Sequence, residues 1–194
     1  MINQKSMKSY VIILLALFLV ACSDDPLDKE FEQYTGRYTI VSYKSDIAVD
    51  LNNDKSSSNE LTDEITSFSF VDLEVRPLEN STNSAQLLSF FFPKTWLSSD
   101  AEAGGSEGWA NHISYGFWTT YHYENNSFVL KDKSYLEQGS NGREDVSRTV
   151  TINSDLEVVD PDHLKLLISK EYYDFKTGSW IMLDIEIVYE RMVF

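Results

Sequence analysis

Between residues 181 and 190 the chain alternates without a break. Ile181, Leu183, Ile185, Ile187 and Tyr189 are apolar or aromatic, and Met182, Asp184, Glu186, Val188 and Glu190 stand between them. A side-chain period of two marks a β-strand with one buried face, whereas a helix repeats its apolar positions at three and four. Residues 164–175 read as a second strand, and Asp174-Phe175-Lys176-Thr177-Gly178 supplies the turn chemistry that folds the two into a hairpin. Runs rich in Val, Ile, Tyr, Phe and Thr recur at 37–44, 66–76, 85–93, 113–124, 127–131, 147–153 and 157–159, with Asn125-Asn126 as a tight turn between two of them. About eight or nine strands with short connections predict an all-β antiparallel meander, and closing it into an up-and-down barrel of about eight strands removes the exposed edges. One short helix is expected after the first strand, over 59–65 (NELTDEI). Its first turn is acidic, and Ser57 with Glu60 fits a capping box. Residues 98–108 and 138–144 read as loops, and there is no internal repeat.

The N-terminus follows different rules. Lys5 and Lys8 precede an apolar run from Val11 to Ala21 that stops at Cys22, Ser23, Asp24, Asp25 and Pro26. A positive start, a short apolar centre and small residues before a cut form a secretory signal, and the run is little more than half of the ~20 residues a membrane span needs. Leu19-Val20-Ala21-Cys22 resembles the lipobox of bacterial lipoproteins. That resemblance implies removal of 1–21 and acylation of Cys22 with chains of the palmitate class. Two or three such chains, at ~0.8 kcal/mol per buried methylene, give a lasting anchor. Ser23-Asp24-Asp25 also resembles the acidic tag of surface-exposed lipoproteins of the Bacteroides group, which implies an outer-membrane protein facing the medium; a solvated tether on the periplasmic side is the competing reading. Residues 22–33 suit a flexible spacer.

Removing residues 1–21 from 194 leaves 173, the length of one domain, here 34–194. Cys22 is the only cysteine, so no disulfide braces the exported fold. Two of the 16 basic residues lie in the leader, leaving 14 against 31 acidic ones. That field repels phosphate backbones, so nucleic acid is excluded as a partner and the outer membrane is reached through the lipid.

Gly36-Arg37-Tyr38-Thr39-Ile40-Val41-Ser42-Tyr43, followed by Asp50-Leu51-Asn52-Asn53-Asp54, resembles the start of the lipocalin-like lipoproteins of Bacteroidetes. In that family Gly-x-Trp opens the first strand and a "DLN-D" loop leads to a leucine-rich helix; here Tyr38 replaces the tryptophan. The resemblance covers about 35 residues and implies a lipocalin-like barrel.

Asp50, Asn52, Asp54 and Ser56 fall at alternate positions of a loop, the spacing with which oxygen ligands surround calcium. Lys55 stands where such a loop needs glycine, and Leu61 where it needs a bidentate carboxylate, so an Asx-rich turn capping the following segment is the other reading. Residues 115–123 are the most aromatic part of the chain. Tyr115, Phe117, Tyr121 and Tyr123 share one face and either line a cavity for an apolar or glycan ligand or fill the core. Leu88, Phe90 and Phe92 pose the same choice, and Trp109 is placed at the barrel mouth. His112, His122 and His163 lack metal-ligand spacing, and no Gly-x-Ser-x-Gly elbow occurs. The reading is a non-enzymatic, cofactor-free lipoprotein that binds a small molecule or serves an envelope complex. The alternatives are a filled-barrel interaction module and a hydrolase.

Overall fold

The structure, a computed structural model, describes residues 31–65, 67–77, 86–102, 105, 107–138 and 147–193. Cys22 and the rest of the leader lie outside them. Eleven strands make one sheet: β1 (Gly36–Val49), β2 (Ser58–Glu60), β3 (Leu73–Arg76), β4 (Leu87–Leu97), β5 (Ala110–Glu124), β6 (Ser127–Leu130), β7 (Ser134–Gln138), β8 (Ser147–Ile152), β9 (Leu156–Val158), β10 (His163–Asp174) and β11 (Ser179–Arg191). Eight of them form the closed antiparallel ring β11-β1-β3-β4-β5-β6-β9-β10, which returns to β11 through the β10–β11 pairing. The barrel expected from the strand pattern is therefore the observed fold, and it fits a lipocalin-like architecture.

The terminal hairpin is the longest ladder, running from His163↔Glu190 to Asp174↔Ser179. Its inward positions are the apolar ones of the alternation. Leu164 faces Tyr189, Leu166 faces Ile187 and Ile168 faces Ile185, and all six are buried. Asp174 shapes the turn by accepting from Thr177 N at 3.1 Å, and Gly178 at φ +65° takes the left-handed position that a side chain resists. Asn125 and Asn126, at φ +50° and +62°, make the predicted tight turn between β5 and β6.

β1 closes the other side of the ring against β11. Its register slips after Ile40↔Tyr189 to Ser42↔Val188, a bulge that leaves Val41 unpaired and reverses the inward phase. Tyr38 and Tyr43, an odd number of residues apart, are both fully buried as a result. Beyond the end of the β1–β3 ladder at Tyr38, Ile40 N donates to the buried Asp72 carboxylate at 2.8 Å, and Thr39 Oγ1 joins it at 3.1 Å. Tyr38 Oη donates to Tyr34 O at 2.6 Å, and burial pushes its phenol up to about 12.

Two expectations need correction. The helix expected over 59–65 is absent: Ser58–Glu60 pairs with β1, and only a single turn follows, with Ile65 N donating to Leu61 O at 2.9 Å. The segment was too short to hold a helix on its own, and β1 competes for its polar groups. Leu61 N donates to Tyr43 O, and the Glu60 carboxylate accepts from Tyr43 N at 3.0 Å. A short helix, α1 (Ser99–Glu102), lies instead in the stretch read as loop, where Ser98 Oγ accepts from Ala101 N at 3.2 Å.

Strands β7 and β8 stand outside the ring. β8 pairs with β10 at Ile168↔Ile152 and Ser169↔Thr151, beyond the short stretch where β9 holds the same edge, and β7 pairs with β8 from Ser134↔Thr151 to Gln138↔Ser147. Leu166 is fully buried on the inward face of the main ladder, so Leu166→Ala is expected to cost about 3 kcal/mol of unfolding free energy in urea titration. A loss under about 1 kcal/mol would show that the β10–β11 face is not the core.

Candidate functional site

Where β4, β5 and β7 approach one another, five aromatic rings lie almost parallel. The β4–β5 register sets Phe90 opposite Phe117 and Phe92 opposite Tyr115. Tyr135 of β7 lies against them, with its ring centroid 4.8 Å from Phe117, 5.8 Å from Tyr115 and 6.3 Å from Phe92, at interplanar angles of 14°, 10° and 9°. Phe90 stacks on Phe92 at 5.7 Å and 10°. Offset parallel rings present a flat π surface, in contrast to the edge-to-face packing common in cores.

The wall between β5 and β7 is a seam. β5 pairs with β4 along 110–120, but on its other edge it meets β6 only over 121–124; β7 has β8 as its ladder partner. Among the described residues, the facing edges of β5 and β7 share no ladder. Side chains bridge them instead: Tyr115 Oη donates to Leu136 O at 3.3 Å, and Tyr135 stacks on Tyr115 and Phe117. Tyr115 and Tyr135 remain half-buried, whereas Phe90 and Phe92 are fully covered.

Behind this seam the interior is charged. Lys170 is 1% exposed and pairs with Glu137, itself 5% exposed. Lys94, 7% exposed, holds its ammonium 5.2 Å from the Tyr115 ring centroid. Arg148 stacks on Trp180, its guanidinium carbon 3.3 Å from the ring centroid and its Nε 3.1 Å from the Glu171 carboxylate. Burial lowers the Lys170 ammonium below the usual lysine range; Glu137 opposes that shift, and Lys94 and Arg148 reinforce it. Lys94 and Arg148 thus lie within electrostatic range of the Lys170–Glu137 pair. Tyr172 Oη donates to Pro93 O at 2.7 Å, leaving its lone pairs for Tyr43 Oη at 3.0 Å.

Among the described residues, Tyr135 Oη, Thr95 Oγ1 and both ring nitrogens of His112 are buried without a hydrogen-bond partner. His112 lies opposite Thr95 in the β4–β5 ladder, its ring 6.2 Å from that of Tyr172. Burial and the nearby Lys170 push its imidazole down to about 4, so at neutral pH it carries one donor and one acceptor.

The residues singled out from the sequence fall in several places. Tyr115 and Phe117 belong to the aromatic wall. Tyr121 and Tyr123 pack instead around Phe128, with centroids 5.1 Å from it in both cases, and Tyr121 Oη donates to Arg76 O at 2.8 Å. Trp109 is 55% exposed beside α1, its backbone donating to Ser98 Oγ at 3.0 Å. Three side-chain oxygens of the loop at Asp50 accept from backbone amides. Asn52 Oδ1 accepts from Asp54 N at 2.9 Å, Asp54 Oδ1 from Ser56 N at 2.7 Å, and Asp50 Oδ2 from Lys55 N at 3.2 Å, with Asn53 and Lys55 at positive φ. The first two are Asx-turn bonds, and the third closes the loop. Among the described residues, no group of three or more His, Cys, Asp or Glu is placed to hold a metal.

Lys94, Glu137, Arg148 and Lys170 were not singled out, although two carried a signal. Lys94 continues the inward series Leu88, Phe90, Phe92, and Lys170 interrupts Leu164, Leu166, Ile168, Tyr172, so each is a charge in an apolar phase. A separate cleft of about 470 Å³ lies over β1, β11 and β10, bordered by Lys44, Asp46, Asn153, Asp184 and Glu186. Two of its carboxylates are engaged locally, Asp46 Oδ1 accepting from Asp184 N at 3.1 Å and Asp184 Oδ1 from Ser169 Oγ. No family model, curated protein or solved structure matches this chain.

His112 gives the region a pH signature. The unfolded imidazole titrates near 6.5 and the folded one at about 4, so the unfolded chain binds more protons in between and stability falls as pH drops through that window. The buried carboxylates Glu64 and Asp72, raised by burial, pull the other way. Relative to His112→Asn, the wild-type chain is expected to lose about 2 kcal/mol more between pH 7 and 5 in urea titrations. Parallel pH profiles would show that His112 is not held neutral.

Proposed function

We propose that the chain is an exported, non-catalytic lipoprotein, tethered through Cys22 to the outer membrane and facing the medium, whose lipocalin-like barrel holds a small molecule. The observation that carries the binding role is the seam. A barrel that serves only as a scaffold gains by laddering β5 to its neighbour along its whole length, whereas here side chains separate solvent from a flat aromatic surface. The address rests on the sequence: the positive start, the short apolar run, Cys22 and the acidic Ser23-Asp24-Asp25.

A second reading has an observation of its own. The rings of Phe90, Phe92, Phe117 and Tyr135 stack on one another, as they would in a filled barrel serving as a protein-interaction module of the envelope. Titration with the neutral dye Nile red separates the two. The binding role is expected to give saturable fluorescence enhancement that weakens when Tyr135→Ala opens the wall, and the absence of saturable binding would favour the interaction module. For the anchor, cells fed an alkyne-tagged palmitate should label the wild-type chain and not Cys22→Ser, with the variant leaving the membrane fraction. Equal labelling of both would refute the lipid tether.

A further inference from the structure

We infer that the facing edges of β5 and β7 dock an extended peptide segment of a partner protein, one that alternates small and large apolar residues and lies as an added strand over the outside of the ring layer. The inference goes beyond the small-molecule role proposed above and does not depend on it.

Backbone phase places the hydrogen-bonding groups. In an antiparallel ladder alternate residues turn both N–H and C=O to the same neighbour. Tyr121 N donates to Gln86 O at 3.2 Å, so the odd residues of β5 face β4. The even ones face away: Thr120 O accepts from Lys131 N at 3.0 Å, and His112 O from Ser67 Oγ at 2.6 Å. Between those two, Ser114, Gly116 and Trp118 turn their amides and carbonyls toward β7, and among the described residues no strand ladders with them. β7 repeats the pattern. Lys133 O, just ahead of it, accepts from Ile152 N at 2.8 Å, so the odd residues serve β8, and Ser134, Leu136 and Gln138 face β5.

The two edges meet at one end and part at the other. Asp132 N donates to Thr119 Oγ1 at 2.9 Å and fixes the approach of β7. Farther along, the bridge is the side chain of Tyr115, whose hydroxyl reaches Leu136 O at 3.3 Å, whereas laddered strands stand about 4.8 Å apart and need no side chain between them. Two rows of backbone donors and acceptors are matched by the alternating groups of an extended peptide.

The lips carry no defence against such pairing. Exposed edges are normally blunted by charge, above all lysine, or by proline. Here the outward residues are Ser114, Gly116 and Trp118 on one lip and Ser134, Leu136 and Gln138 on the other, all uncharged in a chain of net charge −15. Trp118 is 58% exposed and Leu136 61%, which suits large apolar side chains on the outer face of the added strand. At Gly116 a Cβ would stand 3.1 Å from Trp118 Cζ2 and 3.2 Å from Phe91 Cε1, so the bare backbone lets the indole lie along the strand and lets another backbone come close. On the inner side Tyr135 stacks on Phe117 with centroids 4.8 Å apart, which closes that side and suits small residues facing it. A second copy is a poorer occupant, because its own β5 edge is bridged by the same contact from Tyr115 to Leu136.

The test uses the full chain in a maltoside detergent and the fluorescein-labelled peptide Ac-Ser-Val-Ser-Val-Ser-Val. Fluorescence anisotropy is expected to show saturable binding that weakens roughly tenfold or more when the valine amides are N-methylated, which removes the donors of one edge. Hydrogen exchange read by mass spectrometry is expected to slow by roughly the same factor at 113–119 and 134–138 and to stay unchanged at 183–189. Ser114→Pro takes away a seam-facing donor and no bond to β4, so it should weaken binding as N-methylation does and leave Tm unchanged. If that variant does not fold by circular dichroism, Trp118→Lys puts a charge on the lip and should act in the same way. Absence of saturable binding, equal affinity for the plain and N-methylated peptides, equal affinity of the wild type and the folded variant, or binding without added protection at β5 and β7 would each overturn the inference. A concentration-dependent dimer by light scattering, with the same edges protected in the absence of peptide, would overturn it in favour of a second copy.

Discussion

An ammonium group with 1% exposure must be met by an opposite charge, and in this barrel that obligation falls on Lys170 and Glu137. Much of the upper architecture follows from it. Lys170 occupies an inward position of β10, so the carboxylate has to arrive from a strand that can reach the same enclosed space. β7 provides it, carried there by β8, whose own pairing with β10 is confined to Ile168↔Ile152 and Ser169↔Thr151. The strand that delivers Glu137 also delivers Tyr135, since residues two apart share a face. The charge pair and the aromatic wall are thus two consequences of docking one short strand. Replacing one partner alone would leave a buried charge unpaired and disturb the ring surface with it.

Closure of the barrel is a separate matter, settled by ladders at the other side. β11 pairs with both β10 and β1, and the Val41 bulge lets β1 keep two tyrosines inside despite their odd spacing. These contacts are non-local and apolar, and they leave the β5–β7 seam free to depart from ideal pairing. A continuously laddered wall on one side thus stands opposite a β5–β7 seam held by side chains.

How much of this was legible depended on how far local chemistry agreed with the fold. The alternation at 181–190, the Asp174–Gly178 turn and the Asn125-Asn126 turn each specify their own geometry, and all three appear as read. β7 was invisible because Ser134–Gln138 is short and mostly polar; its strand conformation comes from β8. The segment at 59–65 has helical signals, yet Leu61 and Glu60 are taken up by the edge of β1. Among candidate site residues, Tyr115 and Phe117 were visible as part of an aromatic strand. Which part of that strand matters was not, because Tyr121 and Tyr123 differ from them only in which neighbours the fold supplies. Lys94 and Lys170 could have been found, since a charge in the apolar phase of a strand is either paired or functional.

The proposed binding role of the interior is tested most directly by a high-resolution crystal structure of the chain grown in the presence of Nile red. A binding interior requires planar non-protein density against Phe92 and Tyr135, with a polar atom within about 3 Å of Tyr135 Oη. An interior in which the rings close on one another, with Tyr135, Thr95 and His112 all bonded to protein groups and no such density, would contradict it.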